Sequence, residues 1–298
     1  MKILSLGSLN LDYVYAIPHF VKAGETLAST TRNIFCGGKG LNQSIALARA
    51  GAQVYHAGKI GSDGIMLREQ LNKSGVDTSF THVVHVPTGH AIIQVDPSGQ
   101  NCIIIYGGAN QSISHEDIDA VLENFDSGDI LLLQNEISSR DYAIKSASEK
   151  GMLVALNPSP MDQSLKSSAA LQLVHWFILN EIEGHDLTGE ILPENICHKM
   201  RTIYHNSIIV LTLGSNGVMY YDGNKTYSHG IYQVDTVDTT AAGDTFAGYF
   251  LACTAAGYAP EECLQIACKA SAIAVSKPGA SDSIPTMEEV SNTQLVLK

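Results

Sequence analysis

The sequence predicts an α/β fold: βα units laid on a parallel sheet, with a second, small sheet placed over one edge. Two observations carry this. Short apolar runs alternate with longer helical patterns through much of the chain, and two β-rich segments break that rhythm. With 298 residues, 45% of them apolar, there is enough chain for one large α/β domain or two small ones.

Taken in order, residues 3–8 (ILSLGS) form the first buried strand pattern. Residues 11–35 then alternate Tyr13, Tyr15 and Ile17 before a second β-rich run at 26–35. Residues 40–50 (GLNQSIALARA) read as a helix ended by Gly51, where a left-handed cap is expected. Residues 83–106 hold two β-rich runs around the turn Asp96-Pro97-Ser98-Gly99. Further strands are expected at 130–133, 153–156, 176–179 and 208–213, with a short β-run at 218–221. Helices are expected at 138–150, again ended by a glycine, Gly151, and at 242–256 and 260–276. Segments 11–35 and 83–106 are insertions between βα units, so their natural place is a lid over one edge of the main sheet; extra edge strands of that sheet are the alternative.

A net charge of −12 argues against nonspecific binding to nucleic acid or anionic membranes, both of which need a cationic surface. A polyanionic ligand must be held by local donors, metal ions or helix termini. The six cysteines (36, 102, 197, 253, 263 and 268) show neither CxxC nor zinc-site spacing, so free or buried thiols are expected. No apolar run reaches the ~18 residues of a membrane span, and the first residues turn polar too soon for a signal peptide. The expectation is a soluble cytoplasmic protein.

Candidate chemistry centres on Asp238-Thr239-Thr240-Ala241-Ala242-Gly243-Asp244-Thr245-Phe246-Ala247-Gly248. Small residues at 241–243 would let a phosphate approach unpaired N–H groups at a helix start, and Asp244 on the same turn could take a proton from an attacking hydroxyl. An ordinary helix start capped by Asp238 or Asp244 would look the same. Gly37-Gly38-Lys39-Gly40-Leu41-Asn42 opens another helix, with Lys39 and Asn42 as donors suited to hydroxyls; it lacks the Ser or Thr of a Walker A loop. Asn10 and Asp12 follow the first strand, at the end where open α/β sheets bind ligands, and suit vicinal hydroxyls or a plain turn. Asn180 and Glu183 stand three residues apart, a spacing that serves either the waters of a hydrated Mg²⁺ or a helix cap. Thr212-Leu213-Gly214-Ser215-Asn216-Gly217 reads as a nucleotide border or a hairpin loop. No GxGxxG follows the first strand, which weighs against a dinucleotide-dependent oxidoreductase.

In this order the segments resemble the ribokinase-like family of sugar and nucleoside kinases, the PfkB family. The resemblance runs through GSLNLD (7–12), GGKGLNQSIALARAGA (37–52), TGHAIIQVDPSGQN (88–101), GGAN (107–110), ALNPSP (155–160), NEIE (180–183), TLGSNG (212–217), VDTTAAGDTFAG (237–248) and AIAVSKPGA (272–280). It implies a single domain over 1–298: a doubly wound, mostly parallel sheet with helices on both faces, plus the β-sheet lid. It also implies ATP-dependent phosphorylation of a primary hydroxyl, that of D-ribose foremost, with a nucleoside or another pentose or hexose as the alternative acceptor.

By the same resemblance Asp244 is the base, with the anion hole at Ala241, Ala242 and Gly243. Asn10, Asp12, Gly38, Lys39, Asn42, Glu136 and Asp244 hold the sugar. Asn180, Thr212, Gly214, Ser215, Gly217, Gly243 and Cys268 border the ATP, and Glu183 organises Mg²⁺ through water. Asp238, Thr240, Ala274, Lys277, Gly279 and Ser283 surround an activating K⁺, and a homodimer forms through the lid. Three residues depart from the family pattern: His90, on the lid, could alter which sugar is accepted or be a solvated lid residue, whereas Ala247 and Tyr249 concern helix packing. A non-catalytic sugar- or nucleotide-binding relative would most simply have lost Asp244 or Gly243, and both are present.

Overall fold

The computed structural model describes residues 1–298 and contains two sheets. The large one has nine strands in the order β13-β12-β11-β10-β9-β8-β1-β4-β5. They are β1 (Ile3–Leu6), β4 (Val54–Gly61), β5 (Asp77–Val84), β8 (Ile130–Gln134), β9 (Leu153–Asn157), β10 (Trp176–Asn180), β11 (Ile208–Thr212), β12 (Val218–Tyr221) and β13 (Thr226–His229). All neighbours are parallel except β11–β12 and β12–β13. The small sheet, order β3-β2-β6-β7, comprises β2 (Asn10–Ala16), β3 (Thr31–Gly37), β6 (Gly89–Val95) and β7 (Asn101–Tyr106).

The helices are α1 (Lys39–Arg49), α2 (Ile65–Lys73), α3 (His115–Leu122), α4 (Arg140–Glu149), α5 (Gln163–Lys166), α6 (Glu181–Thr188), α7 (Pro193–Ile203), α8 (Ala242–Ala255), α9 (Pro260–Val275) and α10 (Met287–Asn292). Alternation along the buried strands divides the core in two. Ile3, Ile130, Leu132, Ile178 and Val210 pack beneath residues of α1, α2, α8 and α9, such as Leu41, Leu67, Phe250 and Leu264. Their neighbours Leu4, Leu131, Leu133, Leu179 and Leu211 pack on the opposite face under α3, α4 and α7, with Ile118, Ile144 and Ile196. Helices therefore cover both faces, and the sheet is doubly wound. The strand order reverses between β1 and β8, so the carboxyl ends of these two strands flank the crevice where such sheets bind ligands.

Two sequence expectations change and a third holds. The run at 54–61 is a full strand, β4, although His56, Lys59 and two glycines obscure it in the sequence. Residues 83 and 84 end β5 of the large sheet instead of starting the small one. The β-rich insertions form their own sheet, not added edge strands: β2 pairs with both β3 and β6 and with no strand of the large sheet.

Candidate active site

The starts of α1 and α8 meet because small residues let these helices approach. A Cβ on Gly248 would lie 2.4 Å from that of Ala46 and 2.9 Å from the Leu47 nitrogen, so only glycine fits there. At the other end of α1, a Cβ on Gly40 would come within 2.4 Å of the Ser8 nitrogen. These two contacts seat α1 on both α8 and the loop after β1, and they bring Asn42 and Gln43 against Asp244.

Asp244 is buried, with 8% of its surface exposed. Its Oδ2 accepts from Asn42 Nδ2 at 3.0 Å and its Oδ1 from Gln43 Nε2 at 2.8 Å. A carboxylate held by two amide donors has a fixed orientation without having a cation bonded to it. Ala241, which precedes α8, has φ 62°, one of two non-glycine residues in the chain with positive φ. Strain of roughly 1 kcal/mol at such a residue persists only where the surroundings enforce it. The Ala242 N–H donates to the Thr239 carbonyl at 3.2 Å. It is therefore not a free member of an anion hole, a correction to the sequence expectation. The N–H groups of Ala241, Gly243 and Asp244 find no acceptor in the protein. Gly243 is exposed, and an added Cβ there would meet nothing within 4 Å, so the ground above this turn is open.

Beside it lies a cavity of about 250 Å³ bordered by Lys39, Asn157, Asn180, Glu183, Thr212, Ala241, Gly243 and Asp244. This is room for phosphoryl groups, and a larger ligand would extend outward from it. Burial disfavours the charged form of Lys39, but the carboxylates of Asp244, Glu136 and Glu183 outweigh it and raise its pKa. The backbone N–H of Lys39 donates to Glu136 at 3.2 Å, and the Ser8 hydroxyl donates to the same oxygen, Oε2. Burial lifts the Glu136 carboxyl above its ordinary range despite Ser8 and Lys39. Asp12 stands at the root of the small sheet beside Gly37, where a Cβ would overlap its carboxylate at 2.0 Å. Burial, with the nearby Glu136 charge, pushes Asp12 up to about 7. Gly38 has φ 98°, which lets the chain turn into α1 against Ser8 and Asn10. Asn10 is 5% exposed, and its Oδ1 accepts from Asn110 Nδ2 at 2.8 Å.

Asn180 and Glu183 form a reciprocal cap on α6: Asn180 Oδ1 accepts from the Glu183 N–H at 2.9 Å, and Glu183 Oε2 from the Asn180 N–H at 3.0 Å. Glu183 Oε1 has no partner in the protein and borders the cavity. Beyond β11, Gly214 and Gly217 have positive φ, and Ser215 is exposed. A Cβ on Gly217 would lie 2.1 Å from the His229 carbonyl, so this glycine closes the loop onto β13. Thr212 donates to the Leu179 carbonyl at 3.3 Å, and Cys268 lies half-buried on α9, its thiol pushed up to about 12 by burial.

Residues 238–240 meet 274–283. Asp238 Oδ1 accepts from the Thr240 N–H at 2.9 Å and Oδ2 from the Gly279 N–H at 3.1 Å. Burial opposes ionisation of this carboxyl, but these bonds prevail and lower its pKa. The Ala274 carbonyl accepts from the Lys277 N–H at 3.1 Å, the Ser283 hydroxyl donates to Ala280 at 2.9 Å, and the Lys277 ammonium pairs with Glu289.

His90 does not face Asp12. Across β2 and β6, Leu11 pairs with His90 and Asp12 with Ala91, so His90 shares the opposite face with Tyr13 and Tyr106, whose ring centroids lie 5.7 and 5.1 Å away. Ala91 and Ile105 occupy the face of Asp12. Tyr249 is fully buried and its hydroxyl donates to the Pro285 carbonyl at 2.7 Å, while Ala247 lies in the core. Both are packing residues, as their sequence context indicates. Asn110, Gln43, Gln134 and Asn157 were not singled out from sequence; each is a neutral amide whose partners lie on distant segments.

A doubly wound sheet with a buried carboxylate, free N–H donors on one helix turn and a polar crevice at the strand reversal is an arrangement suited to a small-molecule phosphotransferase. A model of the pfkB family carbohydrate kinases matches residues 1–287. The ribokinase of Haemophilus influenzae is 36% identical over 293 residues, covering 95% of each chain. The deoxyribokinase of Salmonella typhi is 30% identical over 300 residues, covering 97% of each. The structure of Arabidopsis thaliana ribokinase complexed with ribose and ATP matches with a TM-score of 0.86 at 31% identity, covering 97% of this chain and 96% of that one. The chain belongs to the pfkB family of carbohydrate kinases.

Proposed function

We propose that this protein transfers the γ-phosphate of ATP to the primary hydroxyl of D-ribose. The observation that carries the reading is Asp244, buried on the same helix turn as three unpaired N–H donors and facing Asn42 and Lys39 across the crevice. Asn10, Asp12, Gly38 and Asn42 take the sugar hydroxyls. Asp244 removes the proton of the primary hydroxyl as its oxygen bonds to the γ-phosphorus and the bond to ADP breaks. The N–H groups of Ala241, Gly243 and Asp244, with Lys39, balance the charge on the transferred group.

ATP would extend from the cavity past Asn180 and Thr212 toward Gly214, Ser215, Gly217 and Cys268. No three His, Cys, Asp or Glu side chains converge as a metal site. The unpartnered Glu183 oxygen suits a hydrated Mg²⁺ carried on the phosphates, where the ion would supply further charge neutralisation. The loop pair tied by Asp238, with the carbonyls near Ala274, Lys277 and Gly279, suits K⁺. The exposed apolar residues of the small sheet, among them Phe35, Ile103, Ile104 and Ile105, support a homodimer through a lid, which light scattering at micromolar concentration reads.

A panel of D-ribose, 2-deoxyribose, fructose and adenosine, assayed with ATP and Mg²⁺, tests the acceptor. D-ribose is expected to be phosphorylated with the highest kcat/KM, and faster in K⁺ than in Na⁺. Preference for adenosine overturns the sugar assignment, and equal rates in the two salts remove the K⁺ loop.

Asp12 gives the sugar step a pH dependence. Sugar hydroxyls donate best to an ionised carboxylate, and Asp12 gains its proton as pH falls through about 7. KM for the sugar should therefore rise about tenfold from pH 8 to pH 6, the ionised fraction falling by that factor one unit below the pKa. Asp12→Asn, with no proton to gain, should flatten the profile; a wild-type KM constant over this range refutes the role.

A further inference from the structure

Directly behind the Asp244 carboxylate lies an amide that phosphoryl transfer does not by itself require. Gln43, next to Asn42 on α1, is 0% exposed. Its Nε2 donates to Asp244 Oδ1 at 2.8 Å and to Asn157 Oδ1 at 3.1 Å. Its Oε1 accepts from Nε2 of Gln134, the last residue of β8, at 2.7 Å. Asn157, the last residue of β9, is oriented in turn by its own Nδ2, which donates to the Ile178 carbonyl at 2.9 Å. An ionised carboxylate only accepts, so Asp244 decides which end of the Gln43 amide faces it, and Gln43 then decides the direction of Gln134. Two buried amides, Gln134 on β8 and Gln43 on α1, thus point one way, and the chain ends on Asp244.

We propose that Gln43 is a positioning residue for Asp244, and that the chain Gln134 to Gln43 to Asp244 holds this carboxylate in the direction of the acceptor hydroxyl. The assignment rests on the kinase reading above. Two features of the site favour it. First, the charged groups facing Asp244 are Lys39 on α1, Glu136 after β8 and Glu183 on α6. One ammonium stands against two further carboxylates, so neutral donors must stabilise the anion, and Asn42 alone serves only Oδ2. Second, Gln134 Oε1 is buried without a partner and is directed at Gly7, where a Cβ would lie 2.3 Å away. An unpaired buried carbonyl is destabilising, so a residue serving packing alone would be better apolar. Its place is explained by the donor at its other end.

Gln43→Met keeps length and apolar stem while removing both donors. The expected result is a kcat about 10- to 100-fold lower, with KM for ATP within about threefold of wild type. The acid limb of kcat at saturating sugar, where the Asp12 effect on KM drops out, should move up by about one unit, because the anion has lost a donor. Gln134→Met leaves Gln43 in place with its amide no longer directed, and should cause a smaller loss in the same sense. Since Gln134 acts through Gln43, the double variant should be no slower than Gln43→Met.

Melting curves separate these effects from loss of fold, and if Gln43→Met does not fold, the pH profile of Gln134→Met decides. An acid limb unmoved in a folded variant, or a full additional loss in the double variant, overturns the relay and leaves the amides as ties between α1, β8 and β9. In that case wild-type turnover of sugar leaves the kinase reading standing. A wild-type protein that phosphorylates no sugar removes that reading and this one together.

Discussion

Asp244→Asn should lower kcat by about 10³-fold, within the 10²–10⁴ that a positioned general base contributes, while Kd for ATP and sugar changes only a few-fold. The substitution is nearly isosteric, and the site receives it on unequal terms. Asn42 and Gln43 each direct an N–H at the carboxylate oxygens. An amide in that place has one oxygen to accept and an NH₂ that must face one of these donors, so one buried bond becomes a donor–donor clash. Some loss of thermal stability is expected beside the loss of turnover, and the two are separable by assaying well below the melting transition. Near-normal turnover in the folded variant would show that another group takes the proton, and Asp12, whose carboxyl burial pushes up to about 7, would be the one to test. Product analysis distinguishes slowed transfer from uncoupled ATP hydrolysis: a variant that still consumes ATP without forming sugar phosphate has kept the anion site and lost only the acceptor step.

The parts of this site legible in the sequence are those where a local pattern has a physical meaning. Gly38 and Gly40 can be read because tight turns and close approaches exclude side chains, and Asp244 because a carboxylate in the first turn of a glycine-opened helix is recognisable without a structure. The strands of the large sheet read equally well wherever both faces are covered, as in β8 (ILLLQ) and β11 (IIVLT). β4 escaped notice because His56 interrupts its apolar pattern, yet that imidazole is fully buried, with Nδ1 2.8 Å from the Ser44 hydroxyl and an ionisation pushed down to about 3 by burial. It behaves as a neutral core residue. Gln43, Gln134 and Asn157 escaped for a related reason. A glutamine on a helix has the look of a surface residue until strands 91 and 114 positions away supply its partners. For His90 the position on the small sheet is evident from sequence, but which face it takes depends on a register set by the pairing of β2 with β6.

Lys39→Met should raise KM for ATP by more than about tenfold and lower kcat by about 10²-fold, and it should do so without disturbing the helix that carries it. Methionine retains the aliphatic stem and helix propensity of lysine, and the Lys39 backbone N–H that binds Glu136 is untouched. What disappears is the ammonium that Asp244, Glu136 and Glu183 jointly favour. The protein has a net charge of −12, Asp244 and Glu183 line the cavity and Glu136 stands close to Lys39, so without Lys39 an arriving triphosphate meets acidic groups and the backbone donors of α8 alone. Ionic strength offers the check on mechanism. If the loss is electrostatic, raising salt should narrow the gap in KM between variant and wild type, since screening weakens the repulsion of ATP more than it weakens the buried contacts. Lys39→Arg tests geometry against charge: it keeps the cation but replaces a compact ammonium by a planar fork that must fit between Asp244 and Glu136, so KM for ATP should recover further than kcat. Equal recovery of both would mean that Lys39 supplies charge to the site without helping to orient the transferred phosphate.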